Sequence, residues 1–218
     1  MRILCLHGMG TNSKMLEMQT SALRHQLAHS QSHNYEYVDG GEPNPPAPGL
    51  EAFISPDEGL AYYDQRSAES VLTAVDDLSE YIAEEGPFDG VLGFSQGASL
   101  AAMIMVRARH ANPPPFQFAI FFCAGLPYSE KALRAGELKF LRVEDTTGPI
   151  IHVPTANIFG TKDPDVSYSK ALVDLCQPWG RVVLDHGAGH EIPRVPVETV
   201  DDMARAVEKV VTKAVIGQ

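Results

Sequence analysis

Apolar residues recur along this chain with two periods, and the two alternate. Short, nearly continuous apolar runs at Arg2–Leu6, Tyr35–Val38, Phe88–Leu92, Phe116–Cys123, Thr155–Phe159 and Arg181–Leu184, mostly bounded by glycine, proline or aspartate, predict strands. Between them the spacing turns helical. In Ser13–Ser30, Leu16, Leu23 and Leu27 share a face; in Ser67–Glu85, Val71, Leu72, Val75, Leu78 and Ile82 point one way while Asp76, Asp77, Glu80 and Glu84 point the other. Ala98–Ala108 and Val166–Cys176 predict two more helices, and Val200, Met203, Ala204, Val207, Val210 and Val211 form a last apolar stripe. Strands that alternate with helices are joined by crossovers, and a crossover makes neighbouring strands parallel. The prediction is one α/β domain over residues 1–218, with a mainly parallel sheet of about six strands and helices on both faces.

Two stretches break the rhythm. Residues 40–64 hold Pro43, Pro45, Pro46, Pro48 and Pro56, which lack the N–H a central strand needs and block helical continuation, so this is a long loop. Residues 126–149 are also irregular, with a short helix around Glu130–Leu138. Ligands of open α/β sheets sit beyond the carboxyl ends of the strands, where both stretches begin, so both are expected as lid or pocket wall. Phe53, Tyr62, Tyr63, Leu126 and Pro127 are the expected apolar contacts, although each could equally be holding its own loop together.

Composition narrows the functional classes. Formal net charge is -11, and the 17 Lys and Arg are scattered, so the electrostatic footprint of a nucleic-acid binder is missing. Neither a membrane-spanning apolar run nor a signal-peptide pattern occurs, which predicts a soluble cytoplasmic protein. Cys5, Cys123 and Cys176 are odd in number and set among apolar neighbours, and read as core thiols, not as a disulfide framework or zinc site.

The chemistry begins at Gly93-Phe94-Ser95-Gln96-Gly97, a G-x-S-x-G pattern between a predicted strand and a predicted helix. A serine on so sharp a turn leaves no room for side chains two residues to either side, and its hydroxyl is presented above the sheet. The plainer role for Ser95 is a helix cap. A serine nucleophile needs a base, and the base needs a group that holds its tautomer; in this arrangement both follow the serine in the chain, acid before histidine. Asp163, after the Thr155–Phe159 strand, and His190, after the Arg181–Leu184 strand, fit that order. His186 is the rival base, and Asp165 and Asp185 are the rival acids. Backbone N–H groups of Gln96 and of Met9, in the early His7-Gly8-Met9-Gly10 turn, are the candidate oxyanion donors, with His7 itself structural. The remaining histidines lack metal-ligand spacing and no phosphate-binding glycine loop is present, so neither metal nor cofactor is expected.

The stretch from Gly86 to Ala98 (GPFDGVLGFSQGA), with Leu6-His7-Gly8, Pro154-Thr155, Gly160 to Asp163, and Gly189-His190 before Pro193, resembles the FSH-type family of small serine hydrolases over nearly the whole chain. The resemblance implies the α/β-hydrolase fold and a triad on Ser95, Asp163 and His190. It also implies acyl-enzyme hydrolysis of acyl thioesters or esters, since the family includes fungal thioesterases of the lovastatin-pathway type that release a polyketide from its synthase. A polyketide or fatty acyl chain on an acyl carrier protein in secondary metabolism is therefore one expected substrate. Carrier proteins are usually acidic, so docking to a chain of charge -11 would need a local basic patch such as Arg134, Lys139 and Arg142, or recognition mainly of the free acyl chain. The alternatives are a general carboxylesterase on small or medium acyl esters, and a hydrolase-like scaffold that binds without turnover.

Overall fold

The computed structural model describes residues 1–30 and 32–216. Six parallel strands form one sheet in the order β2-β1-β5-β6-β7-β8: β1 is Arg2–Leu6, β2 Asn34–Val38, β5 Gly90–Phe94, β6 Phe118–Phe122, β7 Thr155–Phe159 and β8 Arg181–Asp185. A two-residue antiparallel pair, β3 (Glu42–Pro43) with β4 (Leu60–Ala61), lies apart from it. The helices are α1 (Ser13–Gln19), α2 (Ser21–Leu27), α3 (Ala68–Glu85), α4 (Gln96–Arg107), α5 (Glu130–Arg134), α6 (Val166–Leu175) and α7 (Val197–Ile216).

Strand periodicity divides the core in two. Ile3, Leu92, Phe118, Ile120 and Phe122 pack with Leu16, Leu23 and the α7 stripe of Met203, Val207 and Val210. Their neighbours Leu4, Leu6, Val91, Ala119 and Phe121 pack on the opposite side with Val71 and Val75 of α3, Leu100 and Ile104 of α4, and Leu172 of α6. Burying a side chain such as Phe121 or Phe122 contributes about 1.5–3 kcal/mol, so the central strands are held from both faces. The chain moves outward from β1 to β2 and then returns to lay β5 on the other side of β1. The carboxyl ends of β1 and β5 therefore flank the point where the winding reverses, where an open α/β sheet leaves a crevice.

The structure departs from the sequence reading locally. Ser13–Ser30 is two helices, because the Thr20 hydroxyl donates to the carbonyls of Leu16 (2.8 Å) and Glu17 (3.3 Å) and breaks the run. The Glu130–Leu138 helix stops at Arg134, where Gly136 takes φ +77 and the Glu137 N–H returns to the Ala132 carbonyl at 2.9 Å. The proline-rich stretch is less of a free loop than expected. Its β3–β4 pair tolerates Pro43 at an edge, and the segment is tied to the turn after β1 by Ala47 N–H to Gly10 O (2.9 Å) and Gly10 N–H to Leu60 O (2.8 Å).

Candidate active site

Ser95 stands between β5 and α4 with φ 53 and ψ -112, and its N–H donates to Phe122 O at 2.9 Å. The flanking glycines are required by contact. A Cβ on Gly93 would lie 2.5 Å from Ala98 Cα, and a Cβ on Gly97 would lie 2.3 Å from Leu6 O. The turn thus presses α4 against the end of β1, and the pattern in the sequence is the record of that packing.

The loops after β7 and β8 bring Asp163 to His190. His190 Nδ1 donates to Asp163 Oδ2 at 2.7 Å, and Asp163 Oδ1 accepts the Asp165 N–H at 2.8 Å, so both carboxylate oxygens are occupied. The carboxylate is fully buried and the imidazole is 33% exposed. Hydrogen bonds from His186 N–H to Phe159 O (2.9 Å) and Lys162 N–H to Ala188 O (3.1 Å) lace the two loops together. No hydrogen bond joins His190 to Ser95 among the described residues, yet both line the same two cavities; bonds of this kind often tighten only around substrate. Cys123 brings its Sγ to within 4.8 Å of the Asp163 and His190 ligand atoms. The 2.7 Å contact between carboxylate and imidazole is a hydrogen bond with no room for an ion between the partners. Burial, reinforced by the Asp163 charge, pushes the Cys123 thiol up to about 12, so it is held protonated.

The rivals take other work. His186 accepts the Ala188 N–H at 3.2 Å, and burial lowers its pKa. Asp185 accepts the N–H groups of Thr161 (3.0 Å) and Gly187 (2.8 Å). Asp165 begins α6.

The turn after β1 is built on His7. Its Nε2 accepts the Gly40 N–H at 2.9 Å, which fixes the proton on Nδ1 for donation to Gly8 O at 2.8 Å. The Tyr62 hydroxyl receives the His7 N–H (2.9 Å) and donates to Val38 O (2.7 Å). A Cβ on Gly8 would lie 3.4 Å from Ser95 Cβ, so this turn abuts the serine. Among the described residues, neither the Met9 N–H nor the Gln96 N–H has an acceptor. Gln96 also clamps the neighbouring segment through its side chain, accepting from Tyr62 N–H (2.8 Å) and donating to Tyr63 O (3.0 Å).

Of the expected apolar contacts, Phe53 lines the larger cavity at Ser95, and Tyr63 and Leu126 line the smaller. Tyr62 and Pro127 line neither cavity. Tyr62 spends its hydroxyl on His7 and Val38, and the buried Pro127 accepts the Leu141 N–H at 2.8 Å, so both hold their own segments. Sequence reasoning did not name Tyr128, Phe140 and Tyr168, which complete the smaller cavity: the first two pair in a bridge within the 126–149 stretch and the third comes from α6. The basic patch is largely spent: Arg134 pairs with Glu130 (2.6 Å) and Lys139 with Asp145 (2.7 Å). All three cysteines are buried and free, and no helix among the described residues is long and apolar enough to cross a membrane.

A six-stranded parallel sheet, helices on both faces and a serine on a strand-to-helix elbow define an α/β-hydrolase, and the chain is a serine hydrolase. It belongs to the serine hydrolase (FSH1) family, whose model matches residues 1–200. It is 84% identical over 218 residues, the full length of both chains, to Esterase FPY3 of Fusarium mangiferae. It is 30% identical over 205 residues to Hydrolase phiM of Fungal sp. (strain ATCC 74256), covering 88% of this chain and 86% of that one. Among solved structures it is similar in fold to esterase PE8 (TM-score 0.63, 20% identity, 96% of this chain and 92% of that one). A carboxylesterase from Mesorhizobium loti has the same fold (TM-score 0.62, 17% identity, 95% and 88%).

Proposed function

We propose that the chain hydrolyses carboxylic esters through an acyl-enzyme on Ser95, with His190 as general base and Asp163 as the group that orients it. The observation that carries this reading is the 2.7 Å bond between a fully buried carboxylate and an imidazole that opens on the same cavities as Ser95. His190 Nε2 takes the Ser95 proton as Oγ attacks the carbonyl carbon, while Asp163 keeps the other proton on Nδ1. The oxyanion meets the unspent N–H groups of Met9 and Gln96. Collapse breaks the acyl–oxygen bond, and His190 returns the proton to the leaving oxygen. Water then enters; His190 takes one of its protons, the hydroxide oxygen bonds to the acyl carbon, and Ser95 recovers its proton as the acid departs. The scheme balances without a cofactor.

The same steps cleave a thioester, and the resemblance to polyketide-releasing thioesterases keeps that substrate open. The ion pairs on Arg134 and Lys139 tell against a strong docking patch for an acidic carrier protein, and the relative at 84% identity bears the name esterase. Rates on thioester and oxygen-ester series of matched chain length separate the two; a steep thioester preference overturns the ester assignment. The nucleophile is tested with a small fluorophosphonate. Labelling should map to Ser95 by mass spectrometry and vanish in Ser95→Ala together with turnover. Labelling at another residue, or turnover retained in Ser95→Ala, overturns the mechanism, and a chain that neither labels nor turns over is a binding scaffold.

A further inference from the structure

Ser95 stands where two cavities of unequal size meet, and both are also lined by His190. We propose that the substrate is an ester with one branch of no more than about four non-hydrogen atoms and a second that is long and apolar. The inference rests on Ser95 as nucleophile and extends that reading to the substrate class.

The smaller cavity is about 110 Å³. An apolar cavity of about 150 Å³ takes benzene, six carbons, so this one takes roughly four. One side is aromatic: Tyr63 meets Tyr128 edge-on with centroids 6.2 Å apart, Tyr128 stacks on Phe140 at 4.7 Å, and Phe140 meets Tyr168 at 5.3 Å, while Gln65, Ser99 and Asp165 line the polar side. Tyr63 and Tyr128 are 3% and 8% exposed, so neither ring can swing aside without displacing core. The Ser99 hydroxyl further pins the floor by donating to Leu126 O at 2.7 Å.

The larger cavity is about 630 Å³, within the roughly 300–1,000 Å³ of sites that enclose a drug-sized molecule. Met9, Met15 and Met18 line it, and unbranched thioethers adapt to varied apolar shapes. Met9 (38% exposed), Met18 (42%) and Phe53 (70%) leave apolar surface at its mouth for a long branch to cover. In the tetrahedral intermediate the acyl and alkoxy branches leave the reacting carbon in different directions, so one cavity receives each. An ester long on both sides has nowhere to place its second branch. By the same reasoning, a thioester whose pantetheine arm fills the larger cavity is accepted only with a short acyl group.

The test varies acyl and alcohol chain lengths independently, from two to twelve carbons. Esters with one branch of two to four carbons and a long partner should be turned over. On the short side, kcat/KM should fall at least about tenfold for each methylene beyond the limit. Phe140→Ala and Tyr168→Ala remove wall and should raise turnover of longer short-side branches relative to acetyl-sized ones. Fluorophosphonate labelling of Ser95 in every variant reports that the site is assembled. Esters long on both sides cleaved as fast as short–long ones, or no shift in chain preference in two variants that still label, would overturn the inference and leave the nucleophile standing. Failure of the parent chain to label at Ser95 would overturn both.

Discussion

Gly97→Ala separates the requirement of the elbow from the requirement of the helix. Gly97 is the second residue of α4, and helix propensity alone says that alanine there stabilises by about 1 kcal/mol. The structure predicts the opposite for function. The new methyl carbon would lie 2.3 Å from Leu6 O and 2.6 Å from His7 O, both backbone atoms that no rotamer change can move. Relief to ordinary contact requires a shift of about 1 Å in the end of β1, which leads directly into the turn carrying the Met9 N–H, and misplacement on that scale costs on the order of 10²-fold in rate. Complete loss of one oxyanion donor costs about 10²–10³-fold in kcat, which sets the upper end. Overpacking destabilises by about 1–3 kcal/mol, partly offset by the helix gain, so the melting temperature should fall by only a few degrees in a chain of this length. The expected signature is a kcat on p-nitrophenyl acetate down about 100-fold or more, KM nearly unchanged, and a cooperative melt. A folded Gly97→Ala whose kcat stays within a factor of about three of the parent would refute the link between the glycine contact and the oxyanion turn.

Two further outcomes follow from the same geometry. Asp163→Asn turns an amide donor toward a ring that must keep its proton on Nδ1, and kcat should fall about 10⁴-fold with the fold intact; a loss below tenfold in steady-state assays would argue against the orienting role. Burial holds the pKa of His7 below its ordinary 6.5, so the unfolded chain takes up a proton before the folded one does. Stability is therefore complete above pH 6.5 and falls by up to about 1.4 kcal/mol per pH unit below it, until the folded state also protonates. His186, lowered for the same reason, acts in the same direction. Calorimetric melts from pH 7.5 to 5.0 should show the decline, and a flat profile would contradict it.

Much of this architecture is written locally. The α3 stripe, the Phe116–Cys123 run and the strand–turn–helix around Ser95 each follow from neighbours in sequence, because amphipathic spacing and glycine contacts act over a few residues. Asp163 and His190 were legible for a different reason, since chain order confines them to loops after later strands, and the fold brings them together. The smaller cavity was legible in part, through Tyr63, Leu126 and the irregular 126–149 stretch. Tyr128 and Phe140 face each other across a bridge within that stretch and Tyr168 comes from α6, and nothing near any of these three marks it as wall or as filler. Tyr62 kept two readings in the sequence because an aromatic beside a pocket-forming residue looks alike whether its hydroxyl faces a cavity or His7. The kink at Thr20 rests on one side-chain bond that competes with helix continuation.

An L-amino acid at φ 53 and ψ -112 is held where glycine would sit at ease. Such a conformation costs on the order of 1–3 kcal/mol, supplied by the burial around β5 and β6. The proposed nucleophile is thus a standing tax on the scaffold's own durability. A laboratory selection that rewards heat resistance alone has reason to exchange this serine for glycine early, and the sturdier protein it yields would lack the proposed nucleophile.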